Sequence, residues 1–273
     1  MKLFDSHCHI NSSEYDEDFE NVLKNMNAAG VAGAMIVGTN RMDSASVVER
    51  AAAYPGLFAA VGVHPHDARE CSEETLEYLK ELTRHPRVRA WGEVGLDFNR
   101  MYSPQADQEK WFSRQLDVAD ELGLPLIFHE RDSEGRFLEM LRSRYSGGRD
   151  GVVHCFSGNR AELDAYLEMG LHIGITGVLT LLKRGGQLRT LVPHIPAERL
   201  LVETDAPYLT PAPHKNKTRR NEPAFVRATL LKLAGVRGED PEALAEIIWA
   251  NTCRLYGIEV PAKLNISPAT FRV

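Results

Sequence analysis

The chain opens MKLFDSHCH, which places two histidines at i, i+2 spacing at the end of an apolar run. Side chains so spaced in a strand face the same way. His7 and His9 therefore point together with Asp5 one step earlier, while Phe4, Ser6 and Cys8 are expected on the opposite face. Two neutral imidazoles at the edge of a strand offer two nitrogen ligands to a divalent cation. Other apolar runs end in residues of the same kind: His64 after LFAAVGV, Glu93 in VRAWGEVG, His129 in PLIFHE, His154 in GVVHCF and Asp205 in RLLVETD. A carboxylate behind Val88-Arg89-Ala90-Trp91-Gly92 is costly without a charged partner, and buried imidazoles need partners for both ring nitrogens. A pair of divalent cations meets both needs. Two-metal chemistry wants the ions roughly 3.5–4 Å apart, a gap that one carboxylate spans.

Something must bring these scattered side chains together. Eight strand-like runs, at 3–9, 33–39, 57–64, 88–95, 125–130, 151–156, 172–176 and 199–205, alternate with stretches of helical spacing. QADQEKWFSRQLDVADELG is one such stretch, with Trp111, Gln115, Val118 and Leu122 on one stripe, and DEDFENVLKNMNAAG ends in the helix stop Gly30. The alternation predicts an α/β chain folded as a (β/α)8 TIM barrel, one domain over 1–257, with 258–273 as a short C-terminal extension. The rival is a doubly wound open sheet. Against dinucleotide binding by it, the first run enters Asp-Ser-His-Cys-His, not a glycine-rich phosphate turn.

In a barrel the chemistry sits at the C-terminal ends of the strands, and the first and last strands are neighbours. Topology then assigns His7, His9 and Asp205 to one ion, His129 and His154 to a second, and Glu93 to the bridge between them. His64 and His66, in GVHPH, have no ligand role in this set; contact with a phosphate, assistance to proton transfer and mere lining of a loop all stay open. Glu203 shares the parity of Asp205 one layer down, suited to a supporting bond or to a buried arginine, and Asp5 is a candidate for orienting a histidine. Cys8 and Cys155 alternate away from the ligands and read as small buried residues.

The substrate is expected to be anionic. The loop APYLTPAPHKNKTRRNEP carries His214, Lys215, Lys217, Arg219 and Arg220; Lys183 and Arg184 follow the seventh run, and Arg131 stands just past His129. Barrels bind phosphate near the loops after strands seven and eight, and a guanidinium grips a phosphoryl oxygen pair. His66, Arg131, His214, Arg219 and Arg220 are accordingly the candidate substrate contacts, and Asp205 the group that orients or deprotonates a water. The formal charge of −6 argues against a nonspecific nucleic-acid coat or a polybasic membrane anchor while leaving room for a local basic groove. No apolar run approaches membrane-spanning length, and the first residues lack the apolar core of a secretory signal. Four cysteines without a CxxC pair suit reduced thiols and the cytoplasm, and with no obvious pairing element in the sequence a monomer is expected. Oxygen ligands suit Mg²⁺ or Mn²⁺, and four imidazoles suit Zn²⁺ equally.

DSHCH, GVHPH, GEVGLDF, FHERD, HCFSG and ETDAPYLTP followed by RRNEP, in this order and spacing, resemble the TatD family of metal-dependent deoxyribonucleases over roughly residues 1–257. GLDFNRMYSPQADQE and HIGITG are similar to the namesake branch. The resemblance implies a barrel of the amidohydrolase-like superfamily, with His7, His9, Glu93, His129, His154 and Asp205 in metal-ligand positions. It also implies Mg²⁺- or Mn²⁺-stimulated nuclease action, exonucleolytic from the 3′ end of single-stranded DNA with RNA as a further substrate, in DNA repair or RNA processing. The loop HKNKTRRNEP is longer and more basic than the generic form PHRGKRNEP. The alternative is another hydrolase on the same metals, an amidase or a D-aminoacyl-tRNA deacylase.

Overall fold

The computed structural model describes residues 1–144 and 150–259; most of the expected C-terminal extension, from residue 260 on, lies outside them. Eight parallel strands form one sheet in sequential order: β1 Leu3–Cys8, β2 Val31–Val37, β3 Leu57–Val61, β4 Val88–Asp97, β5 Leu126–Arg131, β6 Gly151–Val153, β7 His172–Ile175 and β8 Leu200–Val202. Helices α1 Phe19–Ala29, α2 Arg41–Ala53, α3 Glu73–Leu82, α4 Gln105–Leu122, α5 Arg136–Arg144, α6 Arg160–Glu168, α7 Gly186–Leu191, α8 Val226–Arg237 and α9 Pro241–Tyr256 complete the alternation. The sheet is barrel-like and nearly closed. Asp205, just past β8, donates its backbone N–H to the His7 carbonyl at 2.9 Å, and His9 donates to the Ala206 carbonyl at 2.7 Å. No helix among the described residues is long and apolar enough to cross a membrane.

Two apolar layers hold the sheet. An inner cluster takes Phe4, Met35, Val37, Phe58, Ala60, Ala90, Ile127, Val152 and Leu201 from seven of the strands. Leu255 and Tyr256, at the end of α9, and Ile258 just past it belong to the same cluster. The outer cluster joins the other strand faces, such as Ile36, Val61, Trp91, Phe128 and Ile173, to the helices. Phe4 corrects the expected alternation: it faces inward, and Cys8 faces outward with its thiol on the Met35 carbonyl. The cause is local. Register shifts at Leu3/Phe4 and between Asp5 and Cys8 break the two-residue period within β1.

Several strands stop earlier than the sequence pattern suggests. His9, His64, His154 and Asp205 all follow the last residue of their strands. Cys155 and Asp205, two and three residues past the ends of their strands, take left-handed backbone angles, φ 47° and 57°, that cannot continue an extended run. Only β4 is longer than expected, running on to Asp97. Gly95 within it lies so close to β5 that a Cβ would sit 1.8 Å from the His129 carbonyl oxygen, so only glycine lets these two strands meet.

The apolar stripe of α4 includes two buried glutamines that set strand ends. Gln115 accepts from the Val63 N–H at 2.8 Å and donates to the Val63 carbonyl at 2.9 Å, fixing the residue before His64. Gln108 does the same for Asp97, accepting from its N–H at 2.8 Å and donating to its carbonyl at 3.1 Å.

At the start of β7, His172 is buried, and neither ring nitrogen makes a hydrogen bond of ordinary geometry among the described residues. Burial, helped by the positive charge of Arg199, pushes its pKa down to about 4. The unfolded chain takes a proton near pH 6.5, so between pH 6.5 and 4 it binds more protons than the folded chain and stability falls as pH falls. Replacing His172 with leucine is expected to remove a difference on the order of 3 kcal/mol across that window. Urea melts of both proteins at pH 7 and pH 4.5 check it: equal losses in the two would refute the assignment.

Candidate active site

The side chains at the C-terminal ends of the strands converge on Glu93, which is 2% exposed. Its Oε1 lies 2.7 Å from His129 Nδ1, 3.4 Å from His154 Nε2 and 3.5 Å from His64 Nε2. Its Oε2 lies 3.3 Å from His7 Nε2 and 3.9 Å from His9 Nε2. Asp205 Oδ1 is 3.4 Å from His9 Nε2 and 3.8 Å from His7 Nε2, and the His7 and His154 rings stack at 3.7 Å. One carboxylate thus turns an oxygen to each of two groups of imidazoles. Three sets of side chains, His7–His154–Asp205, His7–His9–Glu93 and His64–Glu93–His129, each bring ligand atoms close enough to hold a cation.

The far side of each ring decides what its near nitrogen can do. His9 Nδ1 donates to the Val37 carbonyl at 2.8 Å, His154 Nδ1 faces Glu203 Oε1 at 3.0 Å, and His129 Nε2 faces Asp97 Oδ2 at 3.3 Å. With those nitrogens protonated, the near nitrogens of His9, His154 and His129 present lone pairs toward the carboxylate of Glu93. His9 Nε2 and His7 Nε2 stand 3.2 Å apart, and His129 Nδ1 stands 2.7 Å from a carboxylate oxygen. A neutral His7 protonated on Nε2 satisfies the first contact, its Nδ1 having no partner among the described residues, whereas His129, with a carboxylate at each nitrogen, needs either an extra proton or a cation. Burial opposes protonation, yet Glu93 and Glu203 push the pKa of His154 up to about 10, and Asp97 and Glu93 push that of His129 up to about 9. A divalent cation supplies the same positive charge and displaces those protons. The donor set fits a metal.

His64 is built the other way round. Its Nδ1 accepts the His66 backbone N–H at 3.0 Å, so its proton is on Nε2, the nitrogen facing the site. Burial and the neighbouring His129 lower its pKa to about 3. His64 is a neutral hydrogen-bond donor in this arrangement.

The supporting contacts differ in part from those expected. Glu203 is buried against His154, accepts from the Cys155 N–H at 2.6 Å, and has Gly174 beneath it, where a Cβ would lie 2.6 Å from its carboxylate. No arginine is among these partners. Asp5 bonds no imidazole: it accepts from the Thr204 N–H at 2.8 Å and hydroxyl at 2.5 Å and from the His7 N–H at 3.4 Å, tying β1 to the turn before Asp205. Cys155 is half-buried, its Sγ 3.7 Å from the Thr176 hydroxyl.

Asp97 is the residue the sequence reading missed. It is fully buried, with Oδ2 2.7 Å from His66 Nε2 as well as near His129. Its Oδ1 accepts the N–H groups of Asn99 and Arg100 at 3.0 and 2.8 Å. Burial would raise its pKa, but these bonds hold it far below the usual carboxylate range. The available signal was parity, since Asp97 stands at i+4 from Glu93 in the motif GEVGLDF.

Above these residues opens a cavity of about 860 Å³. Arg131 and His66 line it, as do Arg100, Arg184 and Tyr208. The other expected substrate contacts are not in its lining. Arg220 forks onto Asp18, Nη1 to Oδ1 at 2.8 Å and Nη2 to Oδ2 at 2.6 Å, and lies over the Tyr15 ring. His214 stacks on Phe225 at 3.9 Å, and Arg219 is exposed. The basic loop therefore uses Arg220 and His214 to fasten itself down, while Arg131 at the end of β5 and Arg100 and Arg184 on other loops line the cavity.

Residues 4–257 match the family model described as TatD related DNase. The chain belongs to this family. It is 43% identical over 260 residues to the 3′-5′ ssDNA/RNA exonuclease TatD of Klebsiella pneumoniae, covering 94% of this chain and 99% of that protein. It is 44% identical over 257 residues to the protein of the same name in Pectobacterium parmentieri, covering 93% and 99%. Among solved structures, a TatD homologue from Escherichia coli K12 superposes with a TM-score of 0.86 at 28% identity, covering 94% of this chain and 98% of that one. This TatD-family chain thus has its fold and the greater part of its length in common with those relatives.

Proposed function

We propose that this protein is a metal-dependent nuclease that removes nucleotides from the 3′ end of single-stranded DNA and RNA, on a closed (β/α)8 barrel holding two divalent ions. The observation that carries the reading is the convergence of imidazole nitrogens on both oxygens of Glu93. The ligands would be His7, His9 and Asp205 for one ion and His129 and His154 for the other, with Glu93 shared. The names of the Klebsiella and Pectobacterium relatives support the substrate class and polarity. Mg²⁺ or Mn²⁺ is the proposed working ion, with Zn²⁺ able to occupy the same imidazoles.

When bound, such ions neutralise the phosphodiester and lower the pKa of a water. The protein's own groups do the rest. Asp205 carries the carboxylate that solvent can reach, with 15% of its side chain exposed against 3% for Glu93. It orients the attacking water and takes its proton. The water oxygen bonds to phosphorus, the phosphorus–oxygen bond to the shortened strand breaks, and the leaving oxygen takes a proton from solvent in the open cavity. His64, neutral and protonated on Nε2, donates a hydrogen bond to a phosphoryl oxygen and does not release its proton. Arg131 and Arg184 hold the flanking phosphates. The cysteines at 8, 71, 155 and 253 are free thiols, which supports the cytoplasm and its DNA repair or RNA processing.

The test presents end-labelled single-stranded DNA, RNA, duplex DNA and D-aminoacyl-tRNA with Mg²⁺, Mn²⁺ and Zn²⁺ in turn. The expected result is a ladder shortening from the 3′ end of the single strands, abolished by chelator. Deacylation of the tRNA with intact strands would replace the nuclease reading by the deacylase.

A further inference from the structure

Seven large apolar side chains are exposed among the described residues, and five of them, Met42, Met101, Tyr102, Leu182 and Tyr208, lie on segments that follow strand ends around the cavity. Met42 is in the first turn of α2, Met101 and Tyr102 follow β4, Leu182 follows β7 and Tyr208 follows β8. The remaining two, Leu231 and Ile247, are on the outer helices α8 and α9. Burying apolar surface is favourable, so a collar of this kind around a catalytic mouth marks a contact for a ligand with apolar faces.

The charges on the same loops say which ligand. Arg100 precedes Met101 and Tyr102 directly, and Arg184 stands two residues after Leu182. Both guanidiniums line the cavity with Arg131, and none of the three has a carboxylate partner among the described residues. Unpaired cations inside and flat or apolar side chains just outside match a strand whose phosphates turn in and whose bases turn out. We propose that Tyr208 and Tyr102 are stacking platforms for the bases on either side of the scissile phosphate, and that this collar makes the enzyme select single strands. The proposal rests on the nuclease reading and adds the residues that enforce its substrate class.

Both rings are placed for it. Tyr208 meets His9 edge-on at 6.2 Å, and Tyr102 meets His66 edge-on at 4.7 Å. Each is therefore one ring away from the site while more than half exposed, at 60% and 52%. Their backbones are pinned while the rings face solvent. The Tyr208 N–H donates to the Asp205 carbonyl at 2.8 Å, and its own carbonyl accepts from Asn221 at 2.6 Å. The residue after Tyr102, Ser103, is fully buried, donating to the His66 carbonyl at 2.7 Å and accepting the Arg69 N–H at 3.0 Å. Held this way, a ring offers a face with little loss of freedom on binding. Stacking accepts any base, because every base has a π-face, but the bases of a duplex are already stacked and paired.

The test is an affinity cycle with cleavage-resistant phosphorothioate ten-nucleotide strands, one with bases and one abasic, read by fluorescence anisotropy. The intact protein is expected to bind the base-bearing strand at least tenfold tighter than the abasic one. Tyr208→Ala and Tyr102→Ala should each shrink that ratio roughly fivefold or more, while Tyr208→Phe and Tyr102→Phe preserve it. Arg184→Ala should weaken both strands alike. Alanine variants that keep the full ratio, or an intact protein that binds both strands equally, would overturn the collar while leaving the nuclease reading standing. An intact protein that binds neither strand would remove the nuclease reading and the collar with it.

Discussion

Replacing Glu93 with glutamine is expected to lower strand cleavage about 10³-fold or more and to cut bound metal to less than half. The geometry singles out this residue because both of its oxygens are used: one faces His129, His154 and His64, the other His7 and His9. Glutamine keeps the shape but carries no charge and offers one acceptor where there were two. Whichever way the amide turns, its NH₂ group meets imidazole nitrogens that should present lone pairs to a cation, and in the proposed two-ion arrangement both ions lose the anion they share. Any other ligand change takes a donor from one ion alone. In chelator the variant should melt within a few degrees of the parent, since volume is conserved and the imidazoles can release protons when their counter-charge is gone. Metal content by atomic emission, together with single-turnover cleavage, makes the measurement. Two ions per chain with undiminished turnover in Glu93→Gln would end the shared-carboxylate mechanism.

How far the sequence revealed this site follows from the range of the forces involved. The strand ends were legible because an apolar run closed by a histidine or acid is a local signal, and the alternation with helices set their order. Parity was less reliable: Phe4 sits on the inner side because register shifts in β1 depend on how β2 pairs with it, which no local pattern records. Strand length misled for the same reason, since β6 and β8 stop at Val153 and Val202, where pairing with their neighbours ends, and left-handed residues follow at Cys155 and Asp205. The basic loop is the plainest case. Arg219 and Arg220 are adjacent and alike in sequence, yet Arg220 is held by Asp18, some two hundred positions away, and only three-dimensional proximity tells a paired guanidinium from a free one. Arg100 and Tyr102 carried no signal by type, because their significance is their place on the rim. Tautomers lie further still from the sequence: His64 and His129 are the same residue, and both face Glu93. A backbone N–H on one and a carboxylate on the other decide whether the nitrogen facing the site carries a proton or a lone pair.

Asp97→Asn is the second change expected to have a large effect, although in this reading Asp97 is no ligand. The carboxylate takes four bonds: His66 and His129 on Oδ2, and the Asn99 and Arg100 N–H groups on Oδ1. Asparagine can keep only part of this set. If its oxygen stays with the two backbone donors, its NH₂ group faces Nε2 of both rings, and those nitrogens must then accept. His129 would carry its proton on Nδ1 instead, the nitrogen 2.7 Å from Glu93, and could not offer that lone pair to a cation. If the amide flips, the loop carrying Arg100, Met101 and Tyr102 loses its anchor. The first outcome lowers metal affinity, by about 10- to 100-fold as for other residues that orient a ligand, and the second weakens strand binding. The two separate cleanly. Excess Mn²⁺ should restore cleavage of Asp97→Asn if the histidine tautomer is what fails, with KM for the strand near that of the parent; a raised KM that no metal corrects points to the loop. Titration of metal affinity alongside KM reads both, and a variant matching the parent in each would show that Asp97 orients neither the histidine nor the rim.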